Sequence, residues 1–136
     1  MIPSKFKLLG ETITVIVDDE ICKEKSAFGL YYSSTKTIYL ADNLYDGDKK
    51  IPIADDAKRH TFLHECVHAI LDVMNEEKLY LNEKFVDVFS GLLHQMEETI
   101  EYETNKSKRK PRTANTRRVT TVKSVRETDK KTKKKR

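Results

Sequence analysis

Two histidines stand four residues apart, with a glutamate directly after the first, in the run His64-Glu65-Cys66-Val67-His68. On an α-helix, residues four apart lie one above the other, so both imidazoles can grip a single cation from one face. Glu65 is then placed to take a proton from a water held by that cation. The order H-E-x-x-H is that of zinc-dependent peptidases. The chemistry it predicts is hydrolysis of a peptide bond at Zn²⁺, with His64 and His68 as metal ligands and Glu65 as the catalytic base.

Two histidines do not complete such a centre, because a catalytic zinc usually takes three protein ligands and keeps the fourth position for water. The longer signature, with a glycine and a third histidine soon after the pentapeptide, is absent: after His68 the chain reads Ala-Ile-Leu-Asp-Val-Met-Asn-Glu-Glu. His60 precedes His64 by four, but successive steps of four drift around a straight helix, so His60, His64 and His68 do not converge on one ion. His94 lies far along the next predicted helix. Two acids at the start of that helix, Glu83 and Asp87, are one turn apart and would complete a two-histidine, one-carboxylate set. Each is equally an acid favoured near a helix N-terminus by the macrodipole.

The elements that must position these groups are legible in the hydropathy pattern. Glu11–Val17 is rich in β-branched residues and alternates, which predicts a strand. Residues 27–33 and 36–41 predict a hairpin around Ser33-Ser34-Thr35, and Gly29 in its first arm marks a bulge or a close approach of another backbone. Residues 1–9 carry no clear pattern, 20–27 read as a loop or short helical excursion, and 42–52 as a polar segment turning at Asp46-Gly47-Asp48. Alternation then gives way to helical spacing. A helix is predicted over 53–75, with Leu63, Val67, Ile70, Leu71 and Met74 as its buried stripe. After a charged connection over 75–80, a second helix is predicted over 82–103, N-capped by Asn82, with Phe85, Val86, Phe89, Leu92, Leu93 and Met96 as its apolar face.

Charge divides the 136-residue chain. Residues 105–136 hold 15 Lys and Arg against Glu127 and Asp129, a net of +13. The whole chain carries +4, so residues 1–104 carry −9. With Val119, Val122 and Val125 as its only sizeable apolar residues, the basic segment cannot build a core and is expected to be disordered in isolation. The expected organisation is one domain over 1–104 and a basic tail over 105–136. Two cysteines far apart, Cys22 and Cys66, suggest no disulfide framework. The start of the chain lacks a secretory signal and no segment is long enough to cross a membrane, so the expected compartment is the cytoplasm.

At this point the residues resemble a family. Strand, hairpin arm Lys36-Thr37-Ile38-Tyr39-Leu40 and the run Thr61-Phe62-Leu63-His64-Glu65-Cys66-Val67-His68-Ala69-Ile70-Leu71 are similar to ImmA/IrrE-type metallopeptidases, in particular to small members carried by bacteriophages and mobile elements. In that family a helix of pattern E-x-x-A-N-x-F-A follows, and its glutamate is the third zinc ligand. Glu83-Lys84-Phe85-Val86-Asp87-Val88-Phe89-Ser90 has that spacing, so the resemblance implies Glu83 as the ligand and Phe89 as a core aromatic. Val86, Asp87 and Ser90 depart from the small and amide residues of the pattern. The resemblance spans roughly residues 11–104 and implies a zincin-like α+β fold, in which a small twisted sheet packs on the metal-bearing helix and a second helix. It also implies a protein substrate.

Three functional readings follow. The first is a zinc peptidase in which substrate adds as a strand to the sheet, with the exposed hairpin arm 36–41 as the docking edge. Tyr31, Tyr32, Tyr39 and Tyr80 are available as oxyanion donors. The second is a nucleic-acid-associated protein in which the zinc fold is a scaffold and the 105–136 tail contacts phosphates without sequence preference. A catalytically silent fold acting by binding alone is the third. The pattern distinguishes no oligomeric state.

Overall fold

The structure, a computed structural model, describes residues 1–102. The basic segment 105–136, and the expected boundary before it, lie outside the described residues. Met1–Glu101 form one compact unit of α+β type.

Strand β1 (Lys5–Leu8) turns through Leu9 and Gly10, both at positive φ (45° and 90°), into β2 (Glu11–Val17). Gly10 enters that region freely because it lacks the Cβ that penalises it, whereas Leu9 does so at a cost. Helix α1 (Asp19–Glu24) follows at once, its first turn closed by the Asp18 carboxylate, which accepts from the Glu20 and Ile21 amides at 3.0 and 3.1 Å. Strands β3 (Gly29–Tyr32) and β4 (Thr37–Leu40) form the predicted hairpin. The polar segment beyond it is a second hairpin, β5 (Asn43–Asp46) and β6 (Lys49–Pro52), turning at Gly47 with φ 60°. Its residues are largely exposed, so it lacks the hydrophobic alternation that announces a strand. Helix α2 (Asp55–Val73), the one-turn α3 (Glu77–Tyr80) and α4 (Glu83–Thr99) complete the described chain, with Asn82 capping α4 through a bond from the Phe85 amide at 3.1 Å.

The main sheet has the order β1-β2-β4-β3, with β2 and β4 parallel and the outer pairs antiparallel. This corrects the expected docking edge. The 36–41 arm is β4, whose hydrogen-bonding sides are taken by β2 and β3, so it cannot accept a further strand. The edge beside the helices is β3.

Helix α2 packs between two layers. Phe62, Leu63, Cys66 and Ala69 meet Ile13 and Val15 of β2 and Ile38 and Leu40 of β4. On another side, Val67 and Leu71 meet Val86 of α4. Of the stripe expected on α2, Leu63, Val67 and Leu71 are buried, whereas Met74 lies exposed past the last turn. The apolar face expected on α4 is corrected more sharply. Val86 and Ser90 are its fully buried positions, while Phe89, Leu92 and Met96 are exposed. Phe89 stacks on Phe85, with centroids 5.6 Å apart, instead of entering the core. Small side chains at the contact let α4 approach α2 closely: a Cβ on Gly91 would stand 3.7 Å from His60 Nε2. No helix among the described residues is long and apolar enough to cross a membrane.

The second hairpin is fastened to α1 by one carboxylate. Asp19 Oδ1 accepts from the Asp42 and Asn43 amides at 2.7 and 3.0 Å, and Oδ2 from Asn43 Nδ2 at 2.9 Å, with Lys50 Nζ at 3.1 Å. Burial pushes the Asp19 carboxyl up, but the bonds from the Asn43 side chain, the two amides and Lys50 outweigh it and hold it down at about 2. A depressed carboxyl stabilises the fold above its unfolded value, and that stability is lost as pH falls through the folded value. Asp19→Ala should therefore cost about 1–2 kcal/mol at pH 7, a figure lowered for the solvent around the pair, with the deficit closing as pH falls from 4 toward 2. Urea unfolding at both pH values measures it.

Candidate metal centre

The H-E-x-x-H pentapeptide lies wholly within α2, and its two imidazoles share a face with ring centroids 5.1 Å apart. Helix α4 brings Glu83 over them from its first turn. Glu83 Oε2 lies 3.4 Å from His64 Nε2, and Oε1 lies 3.5 Å from His68 Nε2. One ligand atom from each of the three residues falls within 4.8 Å of the others. Tetrahedral bonds of ~2.1 Å place neighbouring ligand atoms roughly 3.4 Å apart, so these separations fit a zinc-sized ion with little movement. Asp87 takes a different place. Its Oδ1 is 3.5 Å from His64 Nδ1, the nitrogen facing away from Glu83. A carboxylate on the far nitrogen of a ligating histidine selects the tautomer and holds the ring. The geometry thus separates the two acids that spacing left open.

Electrostatics suit His68 to ligation. Burial holds His68 below its ordinary value, His64 adds to this, and Glu83 opposes it. A neutral imidazole is the form that binds a metal. His68 Nδ1 is buried and makes no hydrogen bond of good geometry. The Tyr80 backbone approaches the same ring, and the Tyr80 side chain packs on it with centroids 4.8 Å apart.

Glu65 projects from α2 toward β3 and is only 7% exposed. Burial, then the nearby Glu83 carboxylate, push its pKa up to about 7, against the pull of the Tyr31 backbone amide. Strand β3 can pass over it because residue 29 has no side chain. A Cβ there would meet Thr61 Cγ2 at 2.6 Å and Glu65 Cγ at 3.0 Å. The close approach expected at Gly29 is real, though what approaches is a pair of side chains from α2 and not another backbone.

Clefts open on both sides of this crossing. One, of about 340 Å³, is lined by Ala27, Phe28, Gly29, His60, Thr61, His64, Glu65 and Asp87. The other, of about 270 Å³, runs past Tyr31, His68, Tyr80 and Glu83. Of the four tyrosines considered as donors, Tyr31 and Tyr80 reach the clefts. The Tyr31 hydroxyl donates to Asp72 at 2.7 Å, while Tyr32 and Tyr39 form an edge-to-face pair with each other. Cys66, inside the pentapeptide, faces the sheet core, and burial pushes its thiol up to about 12, so it remains protonated. His60 joins neither ligand set at this centre: its ring meets that of His94, with centroids 5.7 Å apart. Burial of Glu65 carried no sequence signal, because it depends on where β3 crosses α2.

No protein-family model, curated protein or solved structure matches the chain at a significant level.

Two outcomes follow from this packing. Gly29→Ala should destabilise the fold by about 1–3 kcal/mol, since either β3 or Glu65 must move. Thr61→Ser, which removes the nearer methyl, should recover part of that loss in a double-mutant cycle by denaturant unfolding. The second concerns the metal-free protein. A carboxyl raised from 4.5 to about 7 keeps its proton in the folded chain where the unfolded chain has lost it. Its contribution therefore worsens as pH rises from 4.5 to about 7 and then levels off, to about 3 kcal/mol at most. Metal-free Glu65→Gln should be more stable than wild type at pH 8, with the gap shrinking toward pH 5, as thermal unfolding in chelator would show.

Proposed function

We propose that the chain is a zinc-dependent peptidase of the ImmA/IrrE type, with a zincin-like fold, acting on a protein substrate. The observation that carries this reading is the approach of the two Glu83 carboxylate oxygens to His64 Nε2 and His68 Nε2 at 3.4 and 3.5 Å, with one ligand atom of each of the three residues within 4.8 Å of the others and buried Glu65 beside them at a cleft. His64, His68 and Glu83 would hold Zn²⁺, which when bound supplies a Lewis acid for the scissile carbonyl and acidifies a water.

The chain's own residues perform the remaining work. Glu65 accepts a proton from the attacking water and passes it to the departing amine. Asp87 fixes the His64 ring. Tyr80, beside His68 in the cleft, is placed to donate to the oxyanion. Extended substrate adds alongside β3, whose outer edge pairs with no other strand among the described residues. Side chains on either side of the scissile bond enter the two clefts.

Purified wild type should retain zinc and cut members of a peptide library. Glu65→Gln should keep that zinc and lose cleavage by roughly 10²–10⁴-fold, whereas His64→Ala and Glu83→Ala should lose the ion as well. A wild-type protein that holds zinc at this centre yet cuts nothing would sink the enzymatic reading, and one that binds no metal there would sink the centre itself.

A further inference from the structure

The chain has four histidines, and all of them lie along the seam between α2 and α4. His64 and His68 face Glu83 at one end of that seam. At the other end the first turn of α2 meets the last turns of α4, and there the chain gathers a second set of metal-binding groups. His94 Nε2 lies 3.2 Å from Asp56 Oδ1. One ligand atom from each of Asp56, His94 and Glu98 falls within 4.8 Å of the other two. His60 stands against His94.

We propose that Asp56, His94 and Glu98 form a second site for a divalent cation of the zinc class, separate from the His64–His68–Glu83 centre, with His60 as an adjoining donor.

The arrangement follows from helix periodicity. His94 and Glu98 are four apart on α4, and Asp56 and His60 are four apart on α2, so each helix presents one stacked pair across the seam. The helices run antiparallel, since His68 meets Glu83 while Asp56 meets His94. The partial positive charge at the start of α2 therefore lies beside the partial negative charge at the end of α4, and the two offset each other. Two carboxylates are left to neutralise a divalent ion. The 3.2 Å contact fits the edge of a tetrahedron with bonds of ~2.1 Å.

Neighbouring charges do not supply a competing partner. Arg59 is engaged by Glu97 through bonds of 2.8 and 2.6 Å, and among the described residues Glu98 pairs with no cation. The His94 side chain is 13% exposed and that of Asp56 70%, so the site is walled on the protein side and open to solvent, with room for water to complete the coordination. A mixed imidazole and carboxylate set selects zinc and neighbouring first-row ions over calcium or magnesium.

The site's effect would be mechanical. The N-cap of α2, Ala54, makes no side-chain cap bond, and an ion held by Asp56, His94 and Glu98 would add to the Arg59–Glu97 pair that already ties this end to α4. It would thereby steady the helix that carries His64 and Glu65 without touching substrate.

The test uses the full chain, stripped of metal and equilibrated with zinc chloride alone, then with cobalt chloride alone. Bound metal is measured by mass spectrometry after dialysis. Wild type should bind two equivalents and the Asp56→Asn/Glu98→Gln variant one, with a smaller rise in Tm on zinc addition. Both changes are at exposed positions, and His94→Gln supplies an independent variant with the same expected loss. The readout is the equivalent lost relative to wild type, so it holds whether or not the His64 centre fills; His64→Ala should remove a different equivalent. Equal metal content in wild type and in both variants would overturn the proposal.

Discussion

Helix α2 has to bury apolar side chains on two sides at once, and the rest of the structure follows from that demand. Phe62, Leu63, Cys66 and Ala69 are committed to the sheet, Val67 and Leu71 to α4. Stepping by four at 100° per residue, Asp56, His60, His64 and His68 drift across about 120° of α2, on the same side as Val67 and Leu71. Along that side α4 lays Glu83, Asp87, His94 and Glu98. On α4 these four positions fall within about 60° of arc at 100° per residue. A helix packed on one side only would leave its histidines in water; here the second helix is what turns them into a walled seam.

Burial also sets the charge states. In the metal-free fold, desolvation favours the protonated carboxyl of Glu65 and the neutral imidazole of His68. Both therefore resist carrying charge without a compensating partner. A divalent cation would invert that preference at Glu65, favouring its carboxylate, and would reinforce the neutral imidazole of His68, because it is the largest local charge in any such site. At the far end of α2, Asp72 accepts from Tyr31 and pairs with Lys36, tying the β3–β4 turn to the last turns of the helix. The strand that crosses Glu65 is thus held at both of its ends: by Gly29 fitted against Thr61 and Glu65, and by Tyr31 bonded to Asp72.

The α4 pattern shows how a helix can mislead. Phe85, Val86, Phe89, Leu92, Leu93 and Met96 suggest one apolar face, and hydrophobicity alone would turn it inward. The helix instead buries Val86 and Ser90 and leaves Phe89, Leu92 and Met96 to solvent. Two requirements compete for its orientation, burial of its larger side chains and close approach of its acids to the histidines. The small contact residues Ser90 and Gly91 permit the second.

Local periodicity was enough to read β2, the β3–β4 hairpin, both long helices, the Asn82 cap and the identity of His64, Glu65 and His68, because each depends on residues only a few positions apart. It was also enough to narrow the candidate third ligand to Glu83 or Asp87, one turn apart on the same face. Which of these meets Nε2 and which meets Nδ1 depends on how α4 is rotated against α2, and no pattern within either helix encodes that rotation. The sheet order likewise lay beyond reach, since the parallel pairing of β2 with β4 makes β3 the edge. The β5–β6 hairpin escaped for want of alternation, and the meeting of Asp56 with His94 because 38 residues separate them. Chemistry carried by one turn of helix is visible in the order of residues, whereas chemistry shared between two helices exists only once they have packed.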